Sequence, residues 1–292
     1  MATSTYSLGT LHTTDAEFRT WGKAVSDALQ AFSSTPGLVK TADTGQINWA
    51  TVTRPTTSTD GGYEIYYLND SIHGTSPIYL RVGYGTGAGS SQPRIQLTVG
   101  TGTNGAGTLT GTCLTSAAIC TLSANGNATV DPSYFCVNTG FVGVALAQNT
   151  AGRPGGGFFI CRTCDADGTP NSKGAVVVWF SGGVLSQSLR FEAAAAARTK
   201  ETAACMCVFP QQITTGAVGA NLQAFMCWCA MPDVRPIFGM CGIITANHGT
   251  SASFSVALVG TTARTYLALP NSTCGSPGLP ATTGYSCAML YE

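Results

Sequence analysis

The sequence predicts a mainly β fold: an N-terminal amphipathic helix, followed by a small β-meander domain and a larger β-sandwich or barrel-like domain. Three observations predict it. The chain has 292 residues and 36 glycines, and its dense Thr, Ser and Val with frequent turn dipeptides are typical of many short strands. One segment, near the N-terminus, has helical periodicity. The remaining apolar runs have strand length, well short of the roughly 18 to 20 residues of a membrane-spanning helix.

The helix is predicted to begin after Thr14, since Thr14 and Glu17 form a capping box. Its apolar residues then recur at alternating spacings of three and four, which is a heptad seam. The seam consists of Phe18, Trp21, Val25, Ala28 and Phe32. The helix should end near Ser33, before Pro36. Two interpretations of the seam remain open: it packs on the chain's own β domain, or it is a docking and self-association face.

Strands follow the helix. Segments 63–68, 77–84 and 94–100 are predicted as strands, and the last two alternate apolar and polar residues as half-buried strands do. A glycine-rich connection between those two favours a β-meander. A stretch with few large residues, from about 111 to 132, predicts a boundary. We therefore predict an arm with the docking helix at 1–36, an N-terminal β domain at 37–125 and a C-terminal β-sandwich domain at 126–292.

The second half contains a regular series of strand patterns, as expected of a sandwich or barrel. The predicted strands are 135–148, 157–164, 174–180, 188–193, 205–209, 222–230, 237–246, 253–259, 264–269 and 286–291.

Charge is scarce and balanced. Fourteen basic and fourteen acidic residues make up 10% of the chain, whereas an ordinary soluble domain carries roughly 25%. Neutral, charge-poor surfaces associate, so we expect much of this surface to be covered by other subunits, with Thr, Ser, Asn and Gly on what stays exposed. Because the Lys and Arg residues are scattered singly, nucleic-acid binding is not expected. The first residues lack the features of a secretory signal, and no membrane insertion is expected.

The twelve cysteines allow three interpretations. Several lie in strongly apolar strand patterns, where a reduced thiol serves as a small buried hydrophobe. Disulfides could form after release from the cell. A zinc site is the third interpretation, because alternation puts two cysteines on one face of each of two strands. Its ligands would be Cys205, Cys207, Cys227 and Cys229.

No motif indicates catalysis or a cofactor. Residues 100–105 match the pattern G-x-G-x-x-G, but the glycine- and threonine-rich residues after them do not predict the helix that a dinucleotide site requires. Asp165 and Asp167 begin like a calcium loop, yet the later acidic ligand is missing, so a hairpin tip is expected. We therefore predict no catalytic residue, no cofactor and no enzymatic activity.

Residues from about 14 to 111 carry a resemblance to a known class of proteins. The capped helix TTDAEFRTWGKAVSDALQAF and the segments GLVKTADTGQINWATVTRP, GGYEIYYLND, PIYLRVGYGTG and RIQLTVGTGTNGAGTLTG resemble structural proteins of tailed bacteriophages, typically encoded among tail, baseplate and fibre genes. The segments MPDVRPIFGMCGI and FSVALVGTTARTYLALPN resemble such proteins more loosely.

That resemblance implies a virion protein that is assembled in the host cytoplasm. Its partners would be copies of itself, as a trimer or higher symmetric oligomer, and other virion proteins. The chain shows no collagen-like triplets, which favours a compact tail-tip, baseplate or collar component over a fibre shaft. The alternatives are a receptor-binding module of the tail, which would bind a host cell-surface glycan, and a capsid-decorating or head-fibre protein.

Overall fold

The computed structural model describes the following residues, to which the structural statements below refer: 2–6, 13–33, 37–56, 58–87, 93–112, 114–115, 119–120, 133–138, 141–147, 154–164, 170–181, 184–191, 201–202, 205–209, 221–228, 240–244, 253–256, 264–269 and 285–290.

The first half of the chain contains one helix and nine strands among these residues. They are β1 (Ala2–Tyr6), α1 (Asp15–Gln30), β2 (Gly37–Lys40), β3 (Asp60–Asn69), β4 (Tyr79–Thr86), β5 (Pro93–Gly100), β6 (Gly102–Thr103), β7 (Leu109–Thr110), β8 (Leu114–Thr115) and β9 (Ile119–Cys120).

The second half consists of strands in its described residues. They are β10 (Ser133–Asn138), β11 (Phe141–Ala147), β12 (Pro154–Cys164), β13 (Pro170–Ser181), β14 (Val184–Phe191), β15 (Glu201–Thr202), β16 (Cys205–Phe209), β17 (Asn221–Trp228), β18 (Met240–Ile244), β19 (Ser253–Val256), β20 (Arg264–Leu269) and β21 (Tyr285–Leu290).

The helix begins as predicted. The Thr14 hydroxyl accepts from the Glu17 amide at 3.2 Å, and the Glu17 carboxylate accepts from the Thr14 amide at 3.0 Å, so the capping box is complete. The helical residues end at Gln30, with Ala31 as the C-cap, close to the predicted end. Gly22 lies directly against the Trp49 indole, because a Cβ at position 22 would be 2.1 Å from Cη2 of that ring.

The first half forms a meander, as predicted. Strands β2, β3, β4 and β5 pair in sequence order, each antiparallel to the next, and β8 and β9 both pair with β5. Alternation in β3 turns Glu64, Tyr66 and Leu68 to one face, and all three are buried. The corresponding residues of β4 and β5 are also buried, so this face forms the inner side of the sheet.

The second half contains two antiparallel sheets, which confirms its β class, and their arrangement as a sandwich or barrel stays a prediction. One has the order β1-β10-β11-β12-β13-β14-β15 and the other β16-β17-β18-β21-β20-β19. The segment predicted as one strand over 135–148 is instead two paired strands, β10 and β11. Its interruption is the dipeptide Thr139-Gly140, and a Gly-containing pair between apolar runs is a turn signal that the apolar periodicity concealed.

One continuous hydrophobic core joins the helix to the meander sheet and to the seven-stranded sheet. Phe18, Trp21 and Val25 of the helix belong to the same cluster of buried apolar side chains as Phe135 and Phe158 of the seven-stranded sheet. The first strand reinforces this link, because β1 lies at the edge of the seven-stranded sheet and pairs with β10. The N-terminal arm is therefore shared between the two halves of the chain, and no strand had been predicted in it.

Candidate functional site

The surface of the first half is nearly without charge. Among the described residues between 13 and 115, the charged ones classed as exposed are Glu17, Lys23 and Asp27, and all three lie on α1. Beyond the helix, the exposed residues of this stretch are Thr, Ser, Asn, Gly and Ala. Small polar residues and alanine thus make up the exposed surface of this part of the single chain outside the helix, and coverage of that surface by other subunits stays a prediction.

The exposed charged side chains form hydrogen bonds and ion pairs within the helix and its N-terminal cap. The Lys23 ammonium donates to the Asp27 carboxylate at 2.5 Å. The Glu17 carboxylate accepts from the Thr13 amide at 2.6 Å and from the Thr13 hydroxyl at 2.8 Å. These bonds and those from Thr14 lower the pKa of Glu17 from 4.5 to about 2. Asp15 and Arg19 of the helix also keep partly exposed side chains, whereas Asp43, Glu64, Asp70 and Arg94 are buried.

Glu64 is one of these buried charged residues. Its side chain is fully buried, and its Oε1 accepts from Ser26 Oγ at 2.9 Å, Lys40 Nζ at 2.6 Å and Trp49 Nε1 at 3.3 Å. These three donors come from the helix, from β2 and from the loop before β3, so one carboxylate oxygen ties three separate elements to the sheet. A buried carboxylate is tolerated only when it is paired and hydrogen-bonded in this way.

The second carboxylate oxygen of Glu64, Oε2, accepts hydrogen bonds from two residues of the sheet. Tyr66 and Tyr84 donate their hydroxyls to Oε2 at 2.6 and 2.7 Å. Burial, together with the nearby charge of Glu64, raises the pKa of both tyrosines well above its ordinary value, so both remain protonated donors. Because both oxygens of Glu64 already accept hydrogen bonds and the side chain is fully buried, no ligand can reach this carboxylate. Glu64 therefore connects structural elements rather than acting as a nucleophile or an acid.

A second buried charge pair joins the two halves of the chain. Arg162 of β12 donates from Nε to Asp70 Oδ2 at 2.5 Å and from Nη2 to Oδ1 at 3.1 Å, and both side chains are fully buried. Asp70 follows β3 directly, and Ser76, at the end of the same turn, donates its hydroxyl to the Ser172 carbonyl of β13 at 3.3 Å. The turn 70–76 thus lies on the β12–β13 hairpin.

Three rings cluster beside this pair. His73 stacks on Tyr67 with 4.4 Å between ring centroids, and Tyr79 lies 5.8 Å from His73 and 5.9 Å from Tyr67. Burial lowers the pKa of His73, as does the Arg162 charge, whereas the Asp70 charge opposes the shift. The Nδ1 atom of His73 is buried and meets no hydrogen-bond partner within the described part of the chain.

The hairpin of β6 and β7 is fastened to the loop after β2. Asp43 accepts from the Thr103 hydroxyl and, at 3.3 Å, from the Gly107 amide. Burial alone would raise the pKa of Asp43, but these bonds and one from Thr41 hold it below its ordinary value. This hairpin occupies the position of the G-x-G-x-x-G pattern, where strand pairing replaces the helix of a dinucleotide site.

The helix seam is buried within the chain's own core. Phe18 and Ala28 are fully buried, and Trp21, Val25 and Phe32 are exposed by no more than 3%. This burial is what the first interpretation, a helix packed on its own β domain, expects. The seam therefore leaves no exposed apolar face on α1 for a partner.

The backbone register of β16 and β17 does not place the three described zinc candidates opposite one another. In the pairing of β16 with β17, Cys205 is opposite Trp228 and Cys207 is opposite Met226, whereas Cys227 is opposite Met206. Directly opposed residues share a face of an antiparallel sheet, so this register separates Cys227 from the other two. Cys229 lies outside the described residues. Elsewhere, Cys136 of β10 is a buried thiol, in line with the small-hydrophobe interpretation.

In the portion of the chain that the structure describes, no three His, Cys, Asp or Glu residues are placed to hold a metal ion, and α1 is neither long nor apolar enough to cross a membrane. The residues 165–169, proposed as a hairpin tip, are not described, although β12 and β13 on either side of them pair antiparallel. No family model, curated protein or solved structure matches the chain.

Sequence reasoning missed the buried charges, although a signal for one of them is present. Glu64 stands at the second position of the pattern Tyr63 to Leu68, in register with the apolar face of its own strand. An acid at such a position has to find buried donors. No comparable signal pairs Asp70 with Arg162, because 92 residues separate them.

Proposed function

We propose that this protein is a structural component of a bacteriophage virion, in the tail, baseplate or fibre assembly, and that it acts through contacts between subunits rather than through catalysis. The neutral surface of the first half carries this proposal. Beyond the helix, the fully exposed residues of this half are Thr, Ser, Asn, Gly and Ala. Because these residues carry no charge, they do not repel the same surface of another copy of the chain. The resemblance of residues 14–111 to tailed-phage structural proteins supports the same class.

The buried charges support an assembly role over a reactive one. Both carboxylate oxygens of Glu64 accept hydrogen bonds from donors within the same chain. The Asp70–Arg162 pair is likewise buried within the chain. Such groups fix the relative positions of helix and sheets, and a rigid subunit loses little conformational freedom when it enters a symmetric assembly. In this proposal the partners are further copies of the chain and other virion proteins, and the protein resides in the virion.

Immunogold electron microscopy of purified particles tests the location. An antibody against this chain should label the tail end. Label distributed over the heads would refute the tail assignment in favour of a decorating protein, and binding of the isolated protein to purified host glycan would favour a receptor-binding module. Absence of the chain from particles would refute the virion class altogether.

Charge insertion tests whether the neutral surface makes the contacts. Thr53→Lys, Thr75→Lys and Thr110→Lys each put a cation on an exposed position of this surface, where a surface substitution changes stability by only about 0.5 kcal/mol. We expect the three together to fold normally and to weaken self-association and incorporation. Thr20→Lys, on the already charged helix, is the matched control. Unchanged assembly of the triple variant would contradict the proposed role of this surface.

A further inference from the structure

The meander sheet has a second face, opposite its buried inner side and here called the outer face. Alternation along the strands places on it Tyr63 and Tyr67 of β3, Tyr79 and Arg81 of β4 and Thr98 of β5, all of which are partly exposed. The strand pairing sets their neighbours, because Tyr67 is directly opposite Tyr79 and Arg81 is directly opposite Thr98. Aromatic rings, a hydroxyl group and a guanidinium group therefore lie side by side on this face.

Arg81 has no counter-charge among the described residues. Its guanidinium carbon lies 4.2 Å from the centroid of the Tyr63 ring, and no ion pair or hydrogen bond joins this guanidinium to another described residue. By contrast, Arg94 of the same face donates to Asp60 at 2.9 Å. The charge of Asp43 reaches this face, but its carboxylate is bound to the β6–β7 hairpin. Stacking on Tyr63 thus holds the guanidinium of Arg81 in place while its N–H groups remain free to donate.

The rings beside Arg81 keep unused hydroxyl groups. Tyr67 and Tyr79 form the three-ring cluster with His73, and all three side chains are partly exposed. Within the described part of the chain, neither tyrosine hydroxyl takes part in a hydrogen bond. The face of an aromatic ring is apolar and carries partial negative charge, so it suits the C–H groups on one side of a sugar ring. The hydroxyl groups can donate to and accept from the sugar hydroxyls around that ring.

The backbone of the outer face is already paired. Strand β3 lies between β2 and β4, β4 lies between β3 and β5, and β5 pairs with β4, β8 and β9. A peptide that binds by adding a strand to a sheet edge therefore finds no edge at β3 or β4. Nucleic acid requires several clustered cations, whereas Arg81 is a single one. The side chains favour a ligand that combines a carboxylate, hydroxyl groups and an apolar ring face.

We propose that the outer face binds an acidic glycan, that is, an oligosaccharide containing a uronic acid or another carboxylated sugar. The Arg81 guanidinium pairs with the sugar carboxylate, a planar group that matches its fork of donors. Sugar rings pack on Tyr67 and Tyr79, whose hydroxyls, together with that of Thr98, bind the sugar hydroxyls. This inference goes beyond the structural role proposed above and does not depend on it, because a subunit of an assembly can carry such a site in addition to its subunit contacts.

Calorimetric titration of the full isolated chain tests the proposal with two probes, tetragalacturonate and a hyaluronan tetrasaccharide. Both should bind. Their carboxyl-reduced forms, in which each carboxylate is replaced by a neutral CH₂OH group, should bind at least about tenfold more weakly, because the charge-assisted pair with Arg81 is lost. This comparison needs no variant, and it does not require the chain to be part of a particle.

Two variants locate the binding. Arg81→Gln should weaken binding of the acidic probes by at least about tenfold and leave binding of the reduced forms unchanged. Tyr79→Leu should weaken binding of the acidic and the reduced forms alike, because it removes a ring and its hydroxyl. Lys23→Gln is the matched control, since it also removes one cation but lies on the helix, which packs on the inner side of the sheet.

Four outcomes would overturn the proposal. Failure of both acidic probes to bind would exclude an acidic glycan, and equally tight binding of the reduced forms would exclude recognition of the carboxylate. Equal losses in Arg81→Gln and Lys23→Gln would show an effect of net charge and no site on the outer face. Tighter binding of a polyglutamate peptide than of either sugar would assign the face to an acidic protein segment.

Discussion

Replacing Glu64 by Gln is expected to destabilise the first half of the chain more than any surface change of the same kind. The carboxylate accepts five hydrogen bonds, three at Oε1 and two at Oε2. A carboxamide keeps one oxygen and presents an NH₂ group in place of the other. Whichever way it turns, it faces either the two tyrosine hydroxyls or the Lys40 ammonium with a donor.

The magnitude follows from the bonds that are lost. At least two charge-assisted hydrogen bonds disappear, each worth about 1.5 to 3 kcal/mol, and removing one partner of a buried ion pair costs about 3 to 5 kcal/mol. The side chain of Lys40 retains 29% exposure and can turn toward water. We therefore expect a loss at the lower end, about 3 kcal/mol.

Chemical denaturation followed by tryptophan fluorescence measures this loss, since Trp49 donates to Glu64 directly. Asp27→Asn is the matched control, because it makes the same carboxylate-to-amide change in an ion pair with more than half of each side chain exposed; such a pair contributes about 0.5 kcal/mol. If the two variants unfold at the same denaturant concentration, Glu64 does not hold the fold together as argued here.

Two further predictions concern the helix. Gly22→Ala should lower the free energy of unfolding by about 1 to 3 kcal/mol, because a Cβ there would lie 2.1 Å from the Trp49 indole ring. Gly74→Ala is the control and should be close to neutral in the same denaturation assay, since nothing lies within 4 Å of its Cβ. Equal effects of the two substitutions would argue against close packing at position 22. The Glu17 carboxylate, whose pKa is lowered from 4.5 to about 2 by bonds from Thr13 and Thr14, stabilises the capped end above pH 4.5 and loses this effect as the pH falls through about 2. Protection of the first-turn amides, corrected for the intrinsic pH dependence of exchange, should follow that course and should depend less on pH in Glu17→Gln, where Asp15 is the remaining carboxylate of the turn; an unchanged pH dependence in the variant would refute the assignment.

The local elements were largely predictable because their causes are local. Thr14 and Glu17 lie three residues apart, so their capping box is visible in the sequence and recurs in the structure. The alternation of β4 and β5 likewise reports which face is buried, and the observed strands begin and end within two residues of the predicted ones. Where a turn signal separates two apolar runs, at 139–140, two strands were taken as one.

The candidate site was predictable only in its outline. The shortage of charge anticipated the exposed Thr, Ser, Asn, Gly and Ala of the first half, since composition limits what a surface can be made of. It did not say which of the scarce charges would be buried. The heptad seam illustrates the same limit, because the spacing of Phe18 and Trp21 shows an apolar face on the helix but not whether a sheet of the same chain or another subunit covers it.

The sequence by itself determined the secondary-structure class, the helix with its cap, the meander and the low charge of the exposed surface described in the first half, all of which depend on neighbours along the chain or on composition. Tertiary structure alone decided that Glu64 would collect donors from the helix, the sheet and a loop, and that Asp70 would neutralise Arg162 across 92 residues. The physical reason is the range of the forces involved. Backbone propensity and capping act over a few residues, whereas a buried charge is stabilised by whichever donors the fold brings within hydrogen-bond distance.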